Sequence, residues 1–226
     1  MTPERIAVLA VTKMLSGMCT GGVSLASGTW VRPVKQFGTL LLGDLTYQDR
    51  TVMQPFDIVE FSLIKPQPRP PHSEDWTCDF VRARPRRVAV VEDRLAFMRR
   101  HSEPDSPAQV LRAERSLALF EPSDVEAMFT MDDYSGKYEA RVRTPETGER
   151  PLPVTDIKWR ALGRSLLGGA GGTLKMSASE LRDRLGAERV FVALGLGRLY
   201  EGRHWPLVIG VHAWPDYQAR IDYRNL

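Results

Sequence analysis

Aromatic rings stand beside cationic side chains at three places in the sequence: Trp30 with Arg32, Trp159 with Arg160, and Arg203 and His204 with Trp205. Proteins that hold single strands or nucleotides use this combination, because a base stacks on a ring while a guanidinium group holds a phosphate. On a strand, Trp30 and Arg32 share a face whereas Trp159 and Arg160 do not, so only the first pair can cooperate locally. Core tryptophans next to exposed arginines would give the same pattern. The densest positive charge is Arg82, Arg84, Arg86 and Arg87, followed by Arg94, Arg99 and Arg100. Extended, the alternate arginines 82, 84 and 86 form either a phosphate-binding stripe or a charged edge strand protected from aggregation.

Tests for catalysis return no complete motif. The run Gly168 to Lys175 could offer backbone amides to an anion, but it lacks the Gly-Lys-Ser/Thr register of a phosphate loop and reads as a surface loop. His72-Ser73-Glu74 matches the His-x-Glu of zinc deaminases, yet no Pro-Cys-x-x-Cys follows. No Gly-x-Ser-x-Gly elbow is present, and no motif ties His72, His101, His204 or His212 to a nucleophile. No catalytic residue, metal ligand or cofactor is therefore assigned. His72, after a Pro-rich connector and just before Trp76, can offer an imidazole to a ligand or cap its turn.

Positioning these residues requires strands. The first third of the chain predicts strands over 5–12, 29–35, 56–65 and 76–83, with the Ser, Thr and Gly of 16–28 as a loop and 66–71 as an extended connector. Helical spacing follows near Val91 with Leu95 and Met98. It continues through Val110, Ala113, Leu117 and Phe120 behind Ser106-Pro107, and again from Ser123 to Glu126 with Met128 and Phe129. Strands return over 137–143, 154–162, 189–197 and 205–213, with one helix from Ser177 to Gly186. The pattern gives a mainly β chain, α+β at the margin: an N-terminal lobe over 1–90, a helical connector over 91–131 and a C-terminal lobe over 132–226.

The 226 residues carry a net charge of +3, a mild lean towards anionic partners. Cys19 and Cys78 lack any CxxC spacing and are expected as free thiols of a reducing compartment. The apolar run Ile6 to Val11 is too short for a signal peptide, and no run suits a membrane span, so a cytoplasmic location is expected.

Several segments together resemble the dual OB-containing domain proteins. These are Val11-Thr-Lys-Met with Cys19-Thr-Gly-Gly22, Trp30-Val-Arg-Pro33, Phe56-Asp-Ile-Val59, His72-Ser-Glu-Asp-Trp76, Val154-Thr-Asp156 and Tyr200-Glu-Gly-Arg-His-Trp-Pro-Leu-Val208. The chain departs from the family pattern after the histidine, where Ser73 and Asp75 replace amide side chains. The resemblance implies two OB-like barrels in a bacterial protein that binds single-stranded nucleic acid or a nucleotide derivative, without an established reaction. On spacing and resemblance together, Lys13, Arg32 and Arg203 are expected to contact phosphate, Trp30 or Trp76 to stack, and His72 with Asp156 to bond base or sugar. The alternatives are an enzyme acting on a nucleotide or nucleic acid through His72, Asp75 and Asp156, and an adaptor for protein partners.

Overall fold

The computed structural model describes residues 2–14, 17–104, 107, 115–169 and 171–224. Six strands build the first half: β1 (Thr2–Met14), β2 (Gly17–Ser24), β3 (Trp30–Val34), β4 (Asp57–Pro66), β5 (Asp75–Cys78) and β6 (Arg86–Val90). Their order is β1-β2-β3-β5-β4, and β1 pairs back onto β4, so the sheet closes into a five-stranded barrel with β6 added at the edge. The contact between β3 and β5 is parallel and the others are antiparallel, the Greek-key path of an OB barrel.

The apolar run of β1 is buried on both sides because it serves two cores. Ile6 and Val8 point into the barrel, whereas Ala7 and Leu9 point out towards the second half of the chain. A register shift between Val8 and Ala10 then changes the phase, so Ala10 stays on the outer face and Val11 returns to the barrel. One extra residue in a strand has that consequence. Beyond the shift, Thr12 and Met14 continue the outer face with Ala10, and Lys13 falls on the opposite side.

The second half contains α1 (Arg94–His101), β7 (Leu117–Phe120), β8 (Glu126–Met131), β9 (Tyr138–Arg143), β10 (Leu152–Pro153), α2 (Ile157–Leu167), β11 (Gly172–Met176), α3 (Ala178–Leu185), β12 (Arg189–Tyr200) and β13 (Arg203–Trp214). Its two sheets run β10-β9-β8-β11 and β13-β12-β7, and a parallel bridge from Val154 to Val208 joins them. The combined path β8-β9-β10-β13-β12-β7 repeats the order of the first barrel, including the parallel contact between its third and fifth strands. The strand equivalent to β1 is split into β7 and β8, and α2 follows the third strand.

The halves share a core. Ala7, Leu9, Ala10, Val23 and Trp30 pack with Leu117, Leu119, Phe191, Ala193 and Ile209, and Met98 of α1 joins them. A Cβ on Gly210 would lie 2.7 Å from the Leu9 carbonyl oxygen, so only glycine lets β13 cross β1 at that distance. Glu74 ties the halves together: its carboxylate accepts hydrogen bonds from Ser116 N (2.7 Å), Ser116 Oγ (2.9 Å) and Leu117 N (3.0 Å). No helix among the described residues is long and apolar enough to cross a membrane.

Four sequence expectations are corrected. Residues 17–24, expected as loop, form β2, because small residues let it lie against β1: a Cβ on Gly22 would collide with the Ala7 backbone. Leu117 to Phe120 and Glu126 to Met131, read as helical, are strands whose pairing with β12 and with β9 and β11 outweighs local spacing. The rest of that first helical pattern, residues 106, 109, 110 and 113, lies outside the described residues. Ile157 to Leu162, read as strand, opens α2, where Asp156 caps the helix through Lys158 N and Trp159 N. The glycine run is a turn ending α2 at Gly168 and leading into β11 at Gly172, not directly into a helix.

Candidate functional site

OB barrels bind ligands across the face of their second and third strands, between the loops that join strands one to two and four to five. In the first barrel that face is a cleft of about 360 Å³. Met14 and Gly17 border it at the β1–β2 turn, Met18 to Gly21 on β2, Arg32 to Val34 on β3, and Gln67 and Arg69 in the β4–β5 connection. The opposite wall comes from the second half: Leu117, Gly195 to Arg198, Leu207 and Ile209. The β12–β13 hairpin thus covers a face that would otherwise be open. Ala10, Gly21, Gly195, Gly197 and Ile209 make the floor small and apolar, and the polar groups stand at one side.

That polar side centres on Asp75, which is 2% exposed. Its Oδ1 accepts from Arg32 Nε at 2.5 Å and its Oδ2 lies 3.4 Å from Nη2 of Arg198. The parallel pairing of β3 with β5 sets Arg32 directly beside Asp75, and Arg198 arrives from β12. Arg32 is 7% exposed, and its Nη2 is buried without a hydrogen-bond partner. Both ring nitrogens of His72 are in the same condition. Buried groups left so cost about 1–3 kcal/mol each; of the two residues only Arg32 lines the cleft, where a polar ligand can recover that cost. Burial, reinforced by Arg32 and Arg198, pushes the His72 imidazole down to about 4, so it is neutral near pH 7. Its ring meets that of His204 on the hairpin edge-on at 5.2 Å. Cys19 lines the cleft as a free thiol, and burial raises its pKa, which keeps it protonated and a poor nucleophile.

The family model for the dual OB-containing domain matches residues 4–211. The chain belongs to that family. The match spans both barrels and every residue of the cleft, so the dual OB-containing domain is here one unit whose halves share a core. Comparison with curated proteins and with solved structures returned no match.

Of the residues expected from sequence, the fold places Arg32 in the cleft wall beside Asp75, whereas His72 is buried against His204 and does not line the cleft. Trp30 and Trp76 border a separate hollow of about 350 Å³ with Glu74, His101, Glu103 and Arg115. Trp30 is 8% exposed and belongs mainly to the shared core. Lys13 faces away from the cleft, and its backbone N–H donates to Thr155 O at 3.0 Å. Asp156 is a buried clamp rather than a cleft residue: it caps α2 and also accepts from Val211 N at 2.9 Å. The cleft therefore holds Asp75 but neither His72 nor Asp156. Arg203 lies exposed on the hairpin, 3.4 Å from the centre of the Trp205 ring. Of the 82–87 arginines only Arg86 and Arg87 enter the edge strand β6, held by Glu60 at 2.9 Å and by Asp49 at 3.2 Å; Arg82 and Arg84 stand in the turn and irregular segment before it, so the extended stripe over 82, 84 and 86 does not form. Sequence reasoning missed Arg198, whose role depends on the hairpin crossing to the other barrel. Among the described residues no cluster of three or more metal-ligating side chains forms.

Proposed function

We propose that this protein is a nucleotide-binding module that holds a nucleotide, free or at the end of a single strand, in the cleft between its barrels. The observation that carries this reading is the covering hairpin. It reduces an OB ligand face, suited when open to a length of strand, to a cleft of about 360 Å³, the lower range for small-ligand sites. The apolar floor suits the flat body of a base, and Arg32, Arg69 and Arg198 supply the cationic side that a phosphate requires.

Equilibrium titration of the full chain with adenosine 5′-monophosphate and with a single-stranded dodecamer tests the reading. Gly21 lines the cleft and a Cβ there meets nothing nearer than 3.5 Å, so a Gly21→Leu side chain starts without a backbone clash and extends into the cleft. Binding by the wild type, lost at least tenfold in Gly21→Leu at unchanged melting temperature, is expected. Equal binding by the two proteins, or binding by neither, would contradict the proposal.

A further inference from the structure

Charge on the polar side of the cleft is unbalanced. Arg32 and Arg198 share the single carboxylate of Asp75. Arg69, on the β4–β5 connection, makes no ion pair among the described residues, whereas Lys35 is matched by Asp44 at 2.6 Å. The other titratable groups here do not offset the surplus: burial keeps His72 neutral and the Cys19 thiol protonated. Three guanidinium groups thus stand against one carboxylate. The partners are also unequally held. Arg32 is fixed in the wall at 2.5 Å from Asp75, while Arg198 is 61% exposed at 3.4 Å and can turn to a stronger anion without leaving a buried charge behind.

A phosphodiester carries one negative charge, and a phosphate monoester between about 1.5 and 2 near pH 7. Two surplus cations match the second. We propose that the cleft selects a terminal phosphate monoester, on a mononucleotide or at a strand end, over an internal phosphodiester, with Arg198 as the residue that makes the distinction. The inference rests on the nucleotide reading given above. It adds which phosphate is taken and assigns the second barrel a direct part in taking it. Charge-assisted bonds to guanidinium groups are about twice as strong as neutral ones, so removing one phosphate charge should weaken binding roughly tenfold to a hundredfold.

The test is calorimetric titration of the full chain with adenosine 5′-monophosphate, its phosphate methyl ester, and a tetranucleotide with and without a 5′-phosphate. The monophosphate should bind at least tenfold more tightly than the methyl ester. That advantage should shrink as pH falls from 7.5 to 5.5 and the phosphate takes up its second proton. The methyl ester senses the same His72, His204, Cys19 and Asp75, so the ratio of the two ligands isolates the phosphate. Arg198→Gln, at an exposed position, should reduce the ratio towards one without lowering the melting temperature. If the phosphorylated tetranucleotide equals the mononucleotide, the source is a strand end. If it binds more weakly, the source is a free nucleotide. Equal affinity for monophosphate and methyl ester would overturn the selection while leaving the nucleotide reading intact, and no binding of any of the four would remove both.

Discussion

Replacing Glu74 should separate the two barrels energetically before it changes either one. Its side chain is almost fully buried, and it satisfies Ser116 N, Leu117 N and Ser116 Oγ at the start of β7. Glu74→Ala leaves two buried backbone donors without partners, at about 1–3 kcal/mol each, while the serine hydroxyl can rotate to another acceptor. The expected loss is about 3–5 kcal/mol, a fall in melting temperature on the order of 10 °C for a chain of this size. Glu74→Gln retains a carbonyl oxygen for the two amides and presents its NH₂ to a hydroxyl that can accept, so only the charge assistance is lost, about 1–2 kcal/mol. Urea denaturation followed by tryptophan fluorescence measures both. A cost below about 1 kcal/mol for Glu74→Ala, or equal costs for the two variants, would refute the clamp.

Other consequences concern pH and packing. Burial raises Asp156 to about 6, so its ionisation removes stability as pH rises through the interval from its ordinary 3.8. Relative to Asp156→Asn, the wild type should gain roughly 2 kcal/mol between pH 7 and pH 4, measured as the pH dependence of the difference in unfolding free energy. His212 acts with the opposite sign. Burial lowers it to about 4, so the stability it contributes above its ordinary value of 6.5 is lost as pH falls through that window. His212→Gln should flatten the acid limb by up to about 3 kcal/mol, and an unchanged limb would count against the assignment. At the crossing of the barrels, Gly210→Ala should cost about 1–3 kcal/mol in denaturant titrations. Gly197→Ala, whose Cβ meets atoms no nearer than 3.5 Å, should change stability by less than about 0.5 kcal/mol.

Where local pattern and tertiary pairing agreed, the elements were legible. The apolar runs of β1, β4, β12 and β13 and the Ser177 to Gly186 helix with its capping box all lie where the residues indicate. Pairing outweighed pattern in β2, whose glycines with Thr20 and Ser24 look like a loop but give a strand able to lie close against β1. The 3.6-residue spacing was a coincidence: β7 sends Leu117 and Leu119 to one core and Phe120 to another, and β8 turns Ala127 and Phe129 into a single core with half-buried residues between them. The cap at Asp156 was hidden because Val154, Ile157 and Trp159 mimic a strand run.

The same limits apply to the site. Arg32 could be found because it shares a strand face with Trp30 within Trp30-Val-Arg-Pro33, and His72 because it follows the Pro-rich connector just before Trp76, but that Asp75 stands beside Arg32 depends on the parallel pairing of β3 with β5. Arg198 could not, since it reaches the first barrel only through a hairpin whose long-range packing leaves no local trace. Lys13 was misdirected by the parity change in β1, and Asp156 by its buried capping role.

The central claim is that the covered cleft of the first barrel is the ligand site, and amide chemical shifts of the isotope-labelled chain titrated with adenosine 5′-monophosphate test it most directly. Saturable shifts are expected at Thr20, Gly21, Arg32 and Lys35 on one wall and at Gly195 and Arg198 on the other, moving with a single dissociation constant. Shifts confined to the Trp30 and Trp76 hollow or to Arg203 and Trp205 on the hairpin, or no shifts at millimolar nucleotide, would contradict it.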